Sequence, residues 1–152
     1  MTNGSRHREI VIKEDFSSDT IRIMFVDELL NWFRAAEEAE TALVALTERP
    51  KDGEGRNAFK EATQAFVEYS TGWIELQAAE KAPDADIPSQ MREIKKLFQR
   101  VDFLLIPDTT LPEEQALSGV RARLRGQAEK IDTALNRFAN TIQGIVRPSL
   151  PR

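Results

Sequence analysis

Residues 110–147, TLPEEQALSGVRARLRGQAEKIDTALNRFANTIQGIVR, decide the fold. Leu117, Val120, Leu124, Ala128, Ile131, Leu135, Phe138, Ile142 and Ile145 recur at steps of three or four. That spacing draws one apolar stripe along an α-helix. Thr110 and Glu113 stand at capping-box spacing, hydroxyl at N-cap and carboxylate at N3, and Pro148 ends the segment because its ring cannot continue a helix. A rod of about 55 Å results.

Upstream, proline and glycine cluster at Pro50, Gly53 and Gly55, at Pro83 and Pro88, and at Pro107 and Pro112. Between these breaks the chain is rich in good helix formers. Three more helices are expected, over residues 19–49, 55–82 and 88–106, the first capped by Ser17 or Ser18. Phe59, Ala62, Phe66, Tyr69, Trp73 and Leu76 form the stripe of the second, and Met91, Ile94, Phe98, Val101 and Leu105 that of the third. Connections of roughly five residues make neighbours antiparallel. The expected fold is all-α, an antiparallel up-down four-helix bundle over residues 18–147. A short N-terminal arm, 1–17, precedes it and a tail, 148–152, follows. Ile10, Val11 and Ile12 suit the arm to an extended form. At 17.2 kDa, folding buries roughly 69% of the surface, so one domain needs no staples.

The first helix carries more grease than one face can use. At about 100° per residue, Ile21, Ile23, Phe25, Val26, Leu29, Leu30, Trp32, Phe33 and Ala36 cover an arc of about 200°, against the stripe of somewhat over 100° that a surface helix needs. The arm, through Ile10–Ile12 and Phe16, a second copy of the chain, or a foreign protein could cover the excess. Phe25, Leu29, Trp32 and Phe33 are therefore candidate partner-binding residues.

Charge is divided unevenly. Residues 1–86 hold ten Lys/Arg against eighteen Asp/Glu, and residues 87–152 hold eleven against seven. The halves carry −8 and +4, which sum to the net −4. Arg92 and Lys96 on the third helix, with Arg121 and Arg125 on the fourth, are the candidate basic contacts for an acidic protein surface. Nucleic acid is disfavoured, since its binders are more often basic overall.

Zero cysteines exclude disulfides and thiolate metal sites, and the single histidine, His7, excludes His-rich centres. No phosphate loop, nucleophile elbow or zinc-protease motif occurs. No catalytic residue, metal or cofactor is expected, and an acid–base enzyme would need an inward-facing Glu–Arg cluster that no local pattern reveals. No apolar run reaches membrane-spanning length, and the leader lacks a secretory apolar core, so a cytoplasmic protein is expected. The functional expectation is a non-enzymatic protein–protein interaction module of adaptor, chaperone-like or inhibitor type, with a homodimer as one form. The alternative is a small-molecule sensor bundle whose pocket is lined by Trp32, Tyr69 and Trp73, with Glu28, Asn31 and Gln77 as polar partners.

Overall fold

The computed structural model describes residues 8–11, 20–69 and 71–146. Most of these residues are helical and none is in a strand: α1 (Thr20–Glu48), α2 (Gly53–Glu68), α3 (Thr71–Lys81), α4 (Ile87–Gln99), α5 (Val101–Leu104) and α6 (Glu113–Val146), with a 3-10 turn at Pro83–Ala85. The expected Ser17/Ser18 cap, Ile12, Phe16, the side chains of Ile21 and Ile23, and the 148–152 tail lie outside the described residues.

The stripes meet in one core. α1 packs against α2, α3 and α6, while α4 packs against α2, α3 and α6. Val120, Leu124, Ile131, Leu135, Phe138 and Ile142 of α6 are buried, as are Met91, Ile94 and Phe98 of α4. Phe66 sits at its centre, with ring centroids 5.3 Å from Trp32 and 4.9 Å from Phe98, both edge-on. Such edge-to-face pairs contribute about 0.5–1.5 kcal/mol beyond area burial. No helix of the described residues is long and apolar enough to cross a membrane.

Three local expectations are corrected. The helix expected over 55–82 is broken: Tyr69 leaves helical geometry at ψ 110°, and the Thr71 hydroxyl bonds the carbonyls of Val67 and Tyr69. The run Ser70-Thr71-Gly72 supplies the poorer helix formers that permit the break. The third helix likewise ends at Gln99, and after Arg100 a short turn of helix, α5, carries the chain on. Gln127, buried on α6, donates from Nε2 to the Leu97 carbonyl at 2.8 Å, satisfying one of the orphan acceptors at the α4 end. Finally, Thr110 does not cap α6. Its amide and hydroxyl both donate to Asp108 Oδ1, at 3.0 and 2.6 Å, charge-assisted bonds that tie Thr110 into the turn before the helix. The helix starts instead at Glu113, directly after Pro112.

Candidate functional site

Arg92 and Lys96 of α4 form one face with Arg100, the residue just past its end. Arg92, Lys96 and Arg100 are spaced by four, so they stack along the helix. All three are exposed. They line a groove of about 610 Å³ together with Ser89, Glu93, Leu97, Gln99 and Phe103. The acid in the groove, Glu93, is engaged by Arg137 of α6 at 3.4 Å. Among the described residues no carboxylate pairs with Arg92, Lys96 or Arg100. Phe103, on α5, is 73% exposed at one end of the row, and Ile106 beyond it is 63% exposed. Arg123 holds this apolar end in place by donating to the Ile106 carbonyl at 3.0 Å. The turn at Arg100 brings an aromatic anchor to the end of a cationic row.

The other two expected basic contacts lie elsewhere. Arg121 lines a separate depression of about 320 Å³ at the α1–α2 turn, with Glu48, Pro50 and Lys51 among its neighbours. Arg125 is exposed on α6 outside the α4 groove. Arg92 and Lys96 therefore share a site that neither Arg121 nor Arg125 lines.

The four apolar candidates are inside the protein. Phe25, Leu29, Trp32 and Phe33 are each 0% exposed, covered where α1 meets α2, α3 and α6. A role as surface anchors does not fit this placement, because a partner reaching them would have to open the core. Nor do Trp32, Tyr69 and Trp73 line the grooves described above. Trp32 is packed edge-on by Phe66 and Phe138, the latter at 5.5 Å, while Tyr69 and Trp73 pack against the same core. Trp32 Nε1, Glu28 Oε1 and Gln77 Oε1 are buried without hydrogen-bond partners, so the expected polar pairing of the indole is not made.

An inward-facing Glu–Arg cluster is present, and its cation comes from the arm. Glu37 and Glu40 are buried on α1, with side chains 0% exposed, and Arg8 lies against them with 13% of its side chain exposed. All five guanidinium N–H groups are matched to acceptors. Nη1 donates to Glu37 Oε2 at 3.0 Å and Glu40 Oε1 at 3.1 Å. Nη2 donates to Glu40 Oε2 at 3.1 Å and Asp132 Oδ1 at 2.6 Å. Nε donates to Asn136 Oδ1 at 2.7 Å. Arg34 adds a second cation to Glu37 at 2.6 Å. Burial works against the charged guanidinium, but the hydrogen bonds and charge of Glu40, then of Glu37, outweigh it and raise the Arg8 pKa above its ordinary value. The space between the carboxylates is thus filled by the chain itself. Among the described residues no group of acids or histidines is arranged to hold a metal ion.

Arg8, Glu37, Glu40 and Asp132 were not among the expected site residues. A signal for two of them exists: at about 100° per residue, Glu37 and Glu40 fall inside the apolar arc of the first helix. Two buried carboxylates in that arc require a cation to cover them.

Comparison of the chain with protein-family models, curated proteins and solved structures finds no match.

Proposed function

We propose that the protein is a non-enzymatic interaction module that binds an acidic segment of another protein along the α4 groove. The observation that carries this reading is the row Arg92, Lys96 and Arg100, free of ion pairs among the described residues and ending at exposed Phe103. Charge complementarity selects an acidic partner, and the aromatic selects one with an apolar side chain at the matching end. Unpaired cations confer on-rate and orientation, while an anchored aromatic supplies most of the affinity of a small interface. The filled carboxylate cluster favours a binding role over acid–base catalysis, since Arg8 takes up its acceptors.

The same reading treats the fold as an antiparallel up-down bundle of four rods, with α2 and α3 counted as one rod and α4 with α5 as another. The packing of α1 and α4 each against α2, α3 and α6 supports it. A cytoplasmic setting belongs to the same proposal.

The test uses a labelled peptide alternating Glu or Asp with Leu or Phe. Binding should weaken with added salt, fall at least about tenfold in Arg92→Glu/Lys96→Glu, and fall again in Phe103→Ala; a tenfold loss corresponds to about 1.4 kcal/mol. Affinity that is the same in wild type and in Arg92→Glu/Lys96→Glu would remove the α4 groove as the docking face.

A further inference from the structure

The arm is held in the α1/α6 groove as a peptide ligand is held by a receptor. The Arg8 amide donates to Glu37 Oε2 at 2.8 Å, and its carbonyl accepts from Arg34 Nη1 at 2.9 Å. Three residues on, the carboxamide of Gln143 grips the Val11 backbone from both sides. The Val11 amide donates to Oε1 at 3.0 Å, and Nε2 donates to the Val11 carbonyl at 2.9 Å. Between them Glu9 faces solvent and Ile10 packs against the core. Arg8 and Ile10 point inward while Glu9 and Val11 are exposed, the period-two alternation of an extended segment. The groove therefore reads an arginine at the first position, an apolar side chain at the third and plain backbone at the fourth.

We propose that this groove is a receptor slot for an extended Arg-x-Ile-Val segment, and that it exchanges its own arm for that of a second copy to give an arm-swapped dimer. The occupant is fixed by the contacts themselves, because every copy carries both the slot and the segment shown to fit it. No new surface has to be made, which is why exchange of an identical element is a low-cost route to dimers. Eight residues, 12–19, connect the arm to α1. A tether that short gives the attached arm an effective concentration on the order of mM, so the arm bound within its own chain prevails until the protein itself approaches that concentration. The slot lies on α1 and α6 and shares none of the named α4 groove residues.

Two complementary full-length variants separate the arm from the slot. Arg8→Ala keeps the slot and removes the side chain that anchors the arm. Asp132→Lys closes the slot: Asp132 and Glu40 bind the same Nη2 of Arg8, and Asp132 is 38% exposed, so a lysine there can satisfy the buried acid and repel an incoming guanidinium. Each variant alone should sediment as a monomer, and an equimolar mixture should contain a heterodimer in which the Asp132→Lys arm occupies the Arg8→Ala slot. A fluorescein-labelled peptide of residues 4–13 should bind Arg8→Ala at least about tenfold more tightly than wild type and should not bind Asp132→Lys. Peptide binding without heterodimer overturns the exchange and assigns the slot to an arginine-bearing segment of a different protein. Absence of both overturns the slot as a receptor. Circular dichroism establishes that each variant is folded, and Arg8→Met, which removes the charge and the fork but keeps the apolar stem, takes the place of Arg8→Ala if the latter does not fold.

Discussion

Removing the Arg8 guanidinium should destabilise the fold by about 3 kcal/mol, a magnitude set by the burial of its partners. Breaking a buried ion pair by deleting one member typically costs about 3–5 kcal/mol, because the other charge stays behind uncompensated. The low end applies here. Glu37 keeps Arg34 at 2.6 Å, and the Asp132 bond is to a group 38% exposed, worth about 1 kcal/mol or less. The bidentate grip on Glu40 dominates. For a chain of this size each kcal/mol lowers the melting temperature by about 2–4 °C, so Arg8→Ala should melt about 6–12 °C lower. Arg8→Lys should lose less, since it retains the charge and loses only the fork. The guanidinium pKa is raised, and a raised basic group contributes its stability below its ordinary pKa and loses it only as pH climbs through the folded value. That window lies in strong alkali, so the difference between wild type and Arg8→Ala should not shrink between neutral and mildly alkaline pH.

The decisive assay is a double-mutant cycle in urea with Glu40→Gln. In wild type Glu40→Gln removes one charge of a pair and should destabilise. In Arg8→Ala the bidentate guanidinium contact with Glu40 is already gone, so the same substitution should destabilise less. A coupling of about 2 kcal/mol is expected between such contacting residues. If Glu40→Gln has the same sign and size in both backgrounds, Arg8 does not neutralise Glu40 and the reasoning fails.

Other substitutions test separate parts of the structure. Trp32→Ala should cost about 3–5 kcal/mol as a buried large-to-small change, whereas Trp32→Phe should cost far less, because it also deletes a buried N–H without a partner; urea denaturation distinguishes the two, and equal losses would mean that the indole nitrogen is satisfied. Asp86 holds φ at 60°, left-handed for a residue with a Cβ, so Asp86→Gly should be neutral or stabilise by up to about 1 kcal/mol; a loss larger than that, read from the melting temperature, would assign its side chain another task. The Asp108 carboxyl is held below its ordinary pKa, first by the Thr110 hydroxyl, then by the Thr110 amide, with Arg123 adding charge. A lowered acid contributes stability above its ordinary pKa and loses it as pH falls through the folded value, so Thr110→Val should raise the Asp108 pKa, followed by carbon NMR, and move that loss to higher pH.

How much of this was visible in the sequence depends on distance along the chain. The stripes of α4 and α6 were legible because a three-and-four spacing is a local property and both helices bury it in a single core. The break after Glu68 was not, because the apolar spacing Phe66, Tyr69, Trp73 continues straight through it, and only Ser70-Thr71-Gly72 signals a weak point. The capping box failed for a related reason: Thr110 and Glu113 have the right spacing, but Asp108, two residues upstream, ties the Thr110 amide and hydroxyl into its own turn, and the helix starts only at Glu113.

The excess apolar arc on the first helix posed the harder problem, and its resolution lies in two carboxylates that share its angle on the helix. Counting only greasy positions, the arc asks for more covering surface and points to Trp32 and Phe33 as contacts for a partner. Adding Glu37 and Glu40 changes what is required, since no apolar partner could cover two carboxylates without a cation among its side chains. Arg8 supplies that cation from 124 residues before Asp132 and 32 before Glu40, a separation no periodicity can register. The arm therefore does more than hide hydrophobic surface. Ile10 meets the grease and Arg8 meets the charge, and a segment must carry both, two residues apart, to occupy that groove.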